Sequence, residues 1–225
     1  MTNLDKRILT SLVALPLSIY LLIIGGTPLT FFLIFILFIG MHELFTVFKR
    51  IGTKLFLSLI LILSIYSIYF LSNESLTSKY FLFFAIAVSI SSDIGGYVFG
   101  KIFKWKKLTK ISPNKTISGV FGSYFFSLIC LYVFNKYALE PINSNFDVSI
   151  FFGINEILLT VIFSTVAQLG DLTVSYFKRL DKIKDTGKIL PGHGGILDRI
   201  DALMFVSILT FLLYFIMVDP HNLLF

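Results

Sequence analysis

An all-α bundle that crosses a membrane about seven times, with its N-terminus in the cytosol, is the fold class this sequence predicts, and three observations predict it. Apolar residues fill 56% of the 225 positions against 14% charged, and the mean hydropathy is +0.88, a balance that a soluble domain could not bury. Windows of about 20 mostly apolar residues, enough to cross roughly 30 Å of hydrocarbon, recur along the chain. Basic residues separate cleanly between alternate connections: with the N-terminus inside, all but Lys79 and Lys136 of the 19 Lys and Arg residues fall on the inside, as short cytoplasmic loops require.

The spans follow in order. Lys6 and Arg7 precede the first, Ile8 to Ile24, in the manner of a signal peptide. Gly25, Gly26 and Pro28 then follow a span-length segment with no A-x-A-like site, so this helix reads as retained. Further windows run Leu29 to Phe48, Leu55 to Leu71, Tyr80 to Phe99 and Thr116 to Phe134. The sixth, Phe151 to Phe177, is long for a simple crossing and predicts a tilted helix or one continuing into the cytosol. The last, Ile196 to Val218, leaves Asp219 and His221 outside. No repeat or low-complexity tract interrupts the chain, which reads as one domain over 1–225. The single cysteine, Cys130, excludes an intrachain disulfide and a cysteine metal cluster.

The net charge of +6 gathers on the inside, where it can meet anionic lipid head groups or a nucleoside triphosphate; for the run Lys101 to Lys110, setting topology alone is an equal reading. Nucleic acid is not an expected partner, because no recognition module carries these residues.

Ionisable groups inside spans cost about 2.5–3.5 kcal/mol each on insertion scales, so they mark function. Glu43, Asp93, Asp171, Asp198 and Asp201 all fall toward the cytosolic ends of their helices. On the sixth span Gln168, Asp171, Ser175, Lys178 and Lys182 follow steps of three or four and share a face. Asp198 and Asp201 also share one, so with Asp171 they predict a cage for a hard divalent cation, magnesium above zinc, since His42, His193 and His221 are scattered. The bland alternative for Asp198 and Arg199 is a helix-end acid and an interfacial base that anchor the span.

Between these helices, residues 184–195 combine Lys184, Asp185, Gly192, His193, Gly194 and Gly195 in a loop of the kind that turns backbone N–H groups toward phosphate. His193 reads as a proton-transfer or phosphate-contacting group. Upstream, Asp93, Gly96, Tyr97 and Gly100 share a face, which predicts a small-residue seam beside an acid. Ser112 to Gly119 predicts a turn at Pro113 and a helix start at Thr116, with Lys115 beside it, where free amides could face an anion. His42 and Glu43 read as a structural pair near the basic end of the second span.

Ser175-Tyr176-Phe177-Lys178-Arg179, Lys184-Asp185 and Pro191-Gly192-His193-Gly194-Gly195-Ile196-Leu197-Asp198-Arg199-Ile200-Asp201 together resemble the C-terminal signature of the phosphatidate cytidylyltransferases. Asp93 through Lys101 and the Ser-Pro-x-Lys-Thr stretch from Ser112 to Thr116 fit it as well, so the resemblance spans 92–202. It implies a polytopic, often homodimeric, magnesium-dependent enzyme that joins CTP to phosphatidic acid, with a second cation left open. It further implies a site facing the cytosol, at the inner membrane if the source is bacterial. Carried over, Asp171, Asp198 and Asp201 form the metal and phosphate centre, and Lys178, Arg179, Asp185 and His193 complete the catalytic set. Asp93, Lys115, Thr116, Ser175, Lys184, Gly192, Gly194 and Gly195 are the implied substrate contacts. Ser118 stands where an acid is common and Ala202 where serine is common, and the chain looks short before its first span. Two other classes compete: a CTP-dependent lipid-alcohol kinase, which would release CDP, and a transporter, which would use the acids as an ion path without needing the glycine loop.

Overall fold

The computed structural model describes residues 3–109, 112–139, 154–187 and 194–217. Among them are seven α-helices: α1 (Asn3–Ile24), α2 (Gly26–Val47), α3 (Ile51–Asn73), α4 (Leu76–Phe103), α5 (Ile117–Phe134), α6 (Ile154–Leu180) and α7 (Leu197–Met217), with a π-helical turn over Asn135–Leu139 after α5. Six of these, α2 to α7, are long and apolar enough to cross a membrane, and α1 adds a shorter apolar stretch over Leu12–Ile24. The chain is a multi-pass integral membrane protein.

Local chemistry sets the helix boundaries. The break between α1 and α2 falls at Gly25 and Gly26 instead of at Pro28, because both glycines adopt positive φ, 68° and 60°, which a side chain would resist. Asn73 Oδ1 accepts the Gly26 N–H at 2.8 Å, tying this turn to the far end of α3. α4 runs about a turn past the expected span at each end. A reciprocal cap starts it, with Ser75 Oγ accepting from Ser78 N and Ser78 Oγ accepting from Ser75 N, both at 3.0 Å, and Lys104 in the left-handed region ends it. α6 also outlasts its expected end. It closes in a Schellman arrangement, in which Ile183 N donates to Lys178 O and Lys182 N to Arg179 O, with Lys182 left-handed at φ 59°. Lys182 therefore leaves the polar face shared by Gln168, Asp171, Ser175 and Lys178.

Packing follows membrane rules. Of the predicted seam, Gly96 and Gly100 face α5, where an added Cβ would sit 2.8 Å from Ser123 Oγ and 3.1 Å from Thr116 Oγ1, while Tyr97 is exposed; Gly95, outside the predicted face, packs closer still, and a Cβ there would run into the Gly122 carbonyl. Interhelical hydroxyl bonds reinforce the bundle, Ser92 to Ser164 and Ser64 to Ser207 at 2.9 Å and Tyr124 to Thr165 at 3.0 Å, each contributing about 0.6 kcal/mol on average in a bilayer. One apolar cluster centres on Phe81, Phe163, Leu71 and Val206 in the middle of the bundle. A second, with Leu44, Phe48, Leu57, Leu61, Val174, Leu197 and Met204, lies under the end where α2, α4 and α6 finish and α3, α5 and α7 begin.

Candidate active site

That end is where the predicted residues gather. Asp93 comes from α4, Asp171 from α6 and Asp201 from α7, and their charges act on one another, with Asp171 within electrostatic reach of both others. Asp93 is exposed, while Asp171 and Asp201 are half-buried. Lys115, in the connection between α4 and α5, places its ammonium 2.6 Å from Asp171 Oδ2 and donates to Gln168 O at 3.3 Å. Ser175 Oγ donates to Asp171 Oδ1 at 3.3 Å. The result is a polar cluster of three carboxylates and one lysine.

Lys115 is held there by its neighbours in sequence. Leu108 N donates to Lys115 O at 2.8 Å and Ile117 N to Lys106 O at 3.0 Å, an antiparallel pairing that centres on Lys107 and Thr116. Thr116 is the N-cap of α5, as the sequence predicts, with its Oγ1 accepting the Gly119 N–H at 3.1 Å. Ser118, at the position noted as commonly acidic, is buried and bonds to Thr116 Oγ1 at 3.0 Å.

Asp198 takes a different part from the one expected. Among the described residues no three His, Cys, Asp or Glu side chains stand close enough to hold a metal ion alone, so Asp171, Asp198 and Asp201 do not assemble as a cage. Asp198 Oδ1 pairs with the buried Lys178 ammonium at 2.9 Å. Its Oδ2 accepts the N–H groups of Thr186 at 2.8 Å and Gly195 at 3.2 Å. The Gly195 amide is thus engaged by a carboxylate rather than turned outward to phosphate. Gly194 has φ 87° and passes so near that an added Cβ would meet Asp198 Oδ2 at 2.9 Å. Arg179, Lys184 and Asp185 are exposed around this loop, and Arg179 Nη1 donates to Ile183 O at 3.2 Å. His193 and Gly192 lie outside the described residues.

Two acids build the site without belonging to the predicted set. Glu43, 1% exposed near the end of α2, accepts from Ile196 N at 2.8 Å, Leu197 N at 3.1 Å and Thr186 Oγ1 at 3.2 Å, and so caps the start of α7 from a helix far away in sequence. Its structural reading from the sequence holds, though the partner is α7 and not His42. Asp181, also buried, accepts from Lys49 N at 3.0 Å and Arg50 N at 3.4 Å and pairs with Arg50 Nε at 3.4 Å. Its signal in the sequence was only an acid one residue past a helix end. Together they clasp the α2–α3 and α6–α7 connections to each other.

Magnesium fits this donor set in the way it binds nucleotides, through one or two carboxylates with phosphate and water completing the shell. Among the described residues Asp201 accepts only from the adjacent Ala202 N–H, at 2.9 Å, and Asp171 only from the side chains of Lys115 and Ser175, which a cation could displace.

The fold and site define a helical membrane protein with a charged, carboxylate-bearing cluster at one end of the bundle. Residues 47–217 match the model of the cytidylyltransferase family, and the chain belongs to that family. A protein of Staphylococcus aureus named phosphatidate cytidylyltransferase is 44% identical over 128 residues, 56% of this chain and 46% of that protein. Proteins of the same name from Staphylococcus epidermidis and Staphylococcus haemolyticus are 43% identical over 140 residues and 41% over 139, each alignment covering 61% of this chain and 50% of the relative. The chain thus matches about half the length of these curated relatives.

Proposed function

We propose that this chain transfers a cytidylyl group from CTP to phosphatidic acid, giving CDP-diacylglycerol and pyrophosphate, at the cytosolic face of the membrane. One observation carries the reading: a member of the cytidylyltransferase family brings Asp93, Asp171, Asp201 and Lys115 from three helices and a connection to one end of its bundle. A lipid head group and a water-soluble nucleotide can meet only at such a level.

In this reaction a phosphate oxygen of the lipid attacks the α-phosphorus of CTP, and pyrophosphate leaves in line. Such transfers need little covalent help and depend on positioning and charge neutralisation. Lys115 offsets negative charge on the phosphates beside Asp171, while Lys178, fixed by Asp198, does so from the α6–α7 side. Asp171 and Asp201 would hold magnesium, which when bound would supply positive charge to the nucleotide phosphates. Exposed Arg179 and Lys184 meet the outgoing pyrophosphate at the rim. Ser175 orients Asp171 and need not act as nucleophile, because the lipid phosphate is already ionised. The cytosolic direction is supported by the basic residues, which crowd the end that holds the carboxylate cluster.

Purified protein incubated with α-labelled CTP, phosphatidic acid and magnesium should yield labelled lipid and pyrophosphate in equal amounts. Release of CDP with no liponucleotide would overturn the assignment in favour of a lipid kinase. Asp171→Asn and Asp201→Asn should each lower turnover at least about a hundredfold while the protein still inserts.

A further inference from the structure

The connection leaving α4 carries chemistry that the transfer itself does not use. Residues 101–107, Lys-Ile-Phe-Lys-Trp-Lys-Lys, are exposed throughout, and the sequence from Ile94 to Lys115 contains no acid. Among the described residues Lys101, Lys104, Lys106 and Lys107 form no ion pair. Trp105, 54% exposed, packs its ring 6.4 Å from Phe103 and 6.0 Å from Phe121, so the lysines are interleaved with a fixed aromatic cluster.

At the end of a spanning helix this combination has one natural level. Trp rings settle at the boundary between hydrocarbon and head groups, lysine stems lie along apolar surface, and ammonium groups reach the phosphates. Each lysine near an anionic surface strengthens attraction roughly fivefold. A purely topological role would need the charge but neither the packed aromatics nor the backbone pairing that joins Lys106 and Leu108 to Ile117 and Lys115. Through that pairing the patch is continuous with the lysine that contacts Asp171.

We propose that residues 101–107 are a docking surface for anionic phospholipid head groups, one that gathers phosphatidate beside the carboxylate cluster. The identity of phosphatidate as the useful lipid rests on the proposed function; the preference for anionic lipid does not.

Trp105 is the only tryptophan, so its fluorescence reports this patch alone. The full chain in zwitterionic nanodiscs, without CTP, is titrated with brominated phosphatidate or brominated phosphatidylcholine. Phosphatidate should quench Trp105 at a mole fraction at least fivefold lower. The variant Lys104→Gln/Lys106→Gln/Lys107→Gln should bring that midpoint to within about twofold of the zwitterionic lipid's. In the unaltered protein, 1 M salt should shrink the difference, which keeps the test independent of how the variant folds. Equal quenching by both lipids at low salt, or an unchanged midpoint in the folded variant, overturns the proposal. Relief of quenching by submillimolar inorganic pyrophosphate also overturns it, by assigning the lysines to the nucleotide. Because no turnover is read, loss of the transferase reading leaves this result intact.

Discussion

Replacing Glu43 with alanine should destabilise the whole end of the bundle that carries the carboxylate cluster. The carboxylate is 1% exposed and accepts from Ile196 N, Leu197 N and Thr186 Oγ1, so its removal leaves three donors with no acceptor. Hydrogen bonds to a charged group contribute about 1.5–3 kcal/mol each, and an acid at a helix N-terminus adds about 0.3–1 kcal/mol. Water entering the vacated space recovers part of this, leaving a loss of about 3–5 kcal/mol, the range seen when one partner of a buried charged contact is deleted. For a chain of this size that is a fall in Tm of about 6–20 °C. Cys130, the only thiol and partly buried, lets unfolding in detergent be followed with a thiol-reactive dye. Glu43→Gln should lie between alanine and wild type, because an amide fills the same space but turns an NH2 group toward one of the three donors. An alanine variant that melts within about a degree of wild type would refute this account of α7's anchorage.

The remaining predictions use the same assay or simple extensions of it. Gly95→Val should lower Tm steeply, because its side chain meets the Gly122 carbonyl across the α4–α5 seam; Gly52→Ala, which meets nothing, should raise Tm by a few degrees, as about 1 kcal/mol of helix propensity is gained. Lys182→Gly should also stabilise, by about 1 kcal/mol, since it relieves the left-handed φ of 59° that ends α6; an unchanged or lower Tm would deny that strain. Asp198→Ala releases Lys178, Thr186 N and Gly195 N together, so tryptic cleavage after exposed Lys182 or Lys184 should quicken by about tenfold or more on gel electrophoresis.

The spans were legible because hydropathy and charge are local quantities. Their ends were less so: the Ser75 and Ser78 cap and the left-handed Lys104 lengthen α4 beyond its apolar window, since hydrogen-bonding geometry and not hydrophobicity closes a helix. The site was legible as a set of residue types at one membrane level, while their partners were not. Asp198 and Asp201 are three residues apart and share a helical face, yet they differ by about 60° around the axis, which is enough to aim them at different neighbours. Lys178 takes Asp198, while Asp201 lies within electrostatic reach of Asp171 and Asp93. Glu43 and Thr186 are 143 positions apart, and Asp181 and Lys49 are 132, so no spacing rule could have paired them.

The way each acid is hydrogen-bonded separates framework from chemistry. Glu43, Asp181 and Asp198 each accept at least two backbone N–H groups, and such donors fix both the position and the lone pairs of a carboxylate. Among the described residues Asp171 accepts only from the side chains of Lys115 and Ser175, Asp201 only from the adjacent amide, and Asp93 from none. Carboxylates of the second kind keep lone pairs for a cation or a substrate, and all three lie within electrostatic reach of one another at the end of the bundle. The first kind has spent its lone pairs on holding that end in shape. Exchanging the roles would fail on both counts: a metal drawn to Asp198 would strip the amides of Thr186 and Gly195 from their acceptor, and Asp171 has no backbone donors through which to take over the loop.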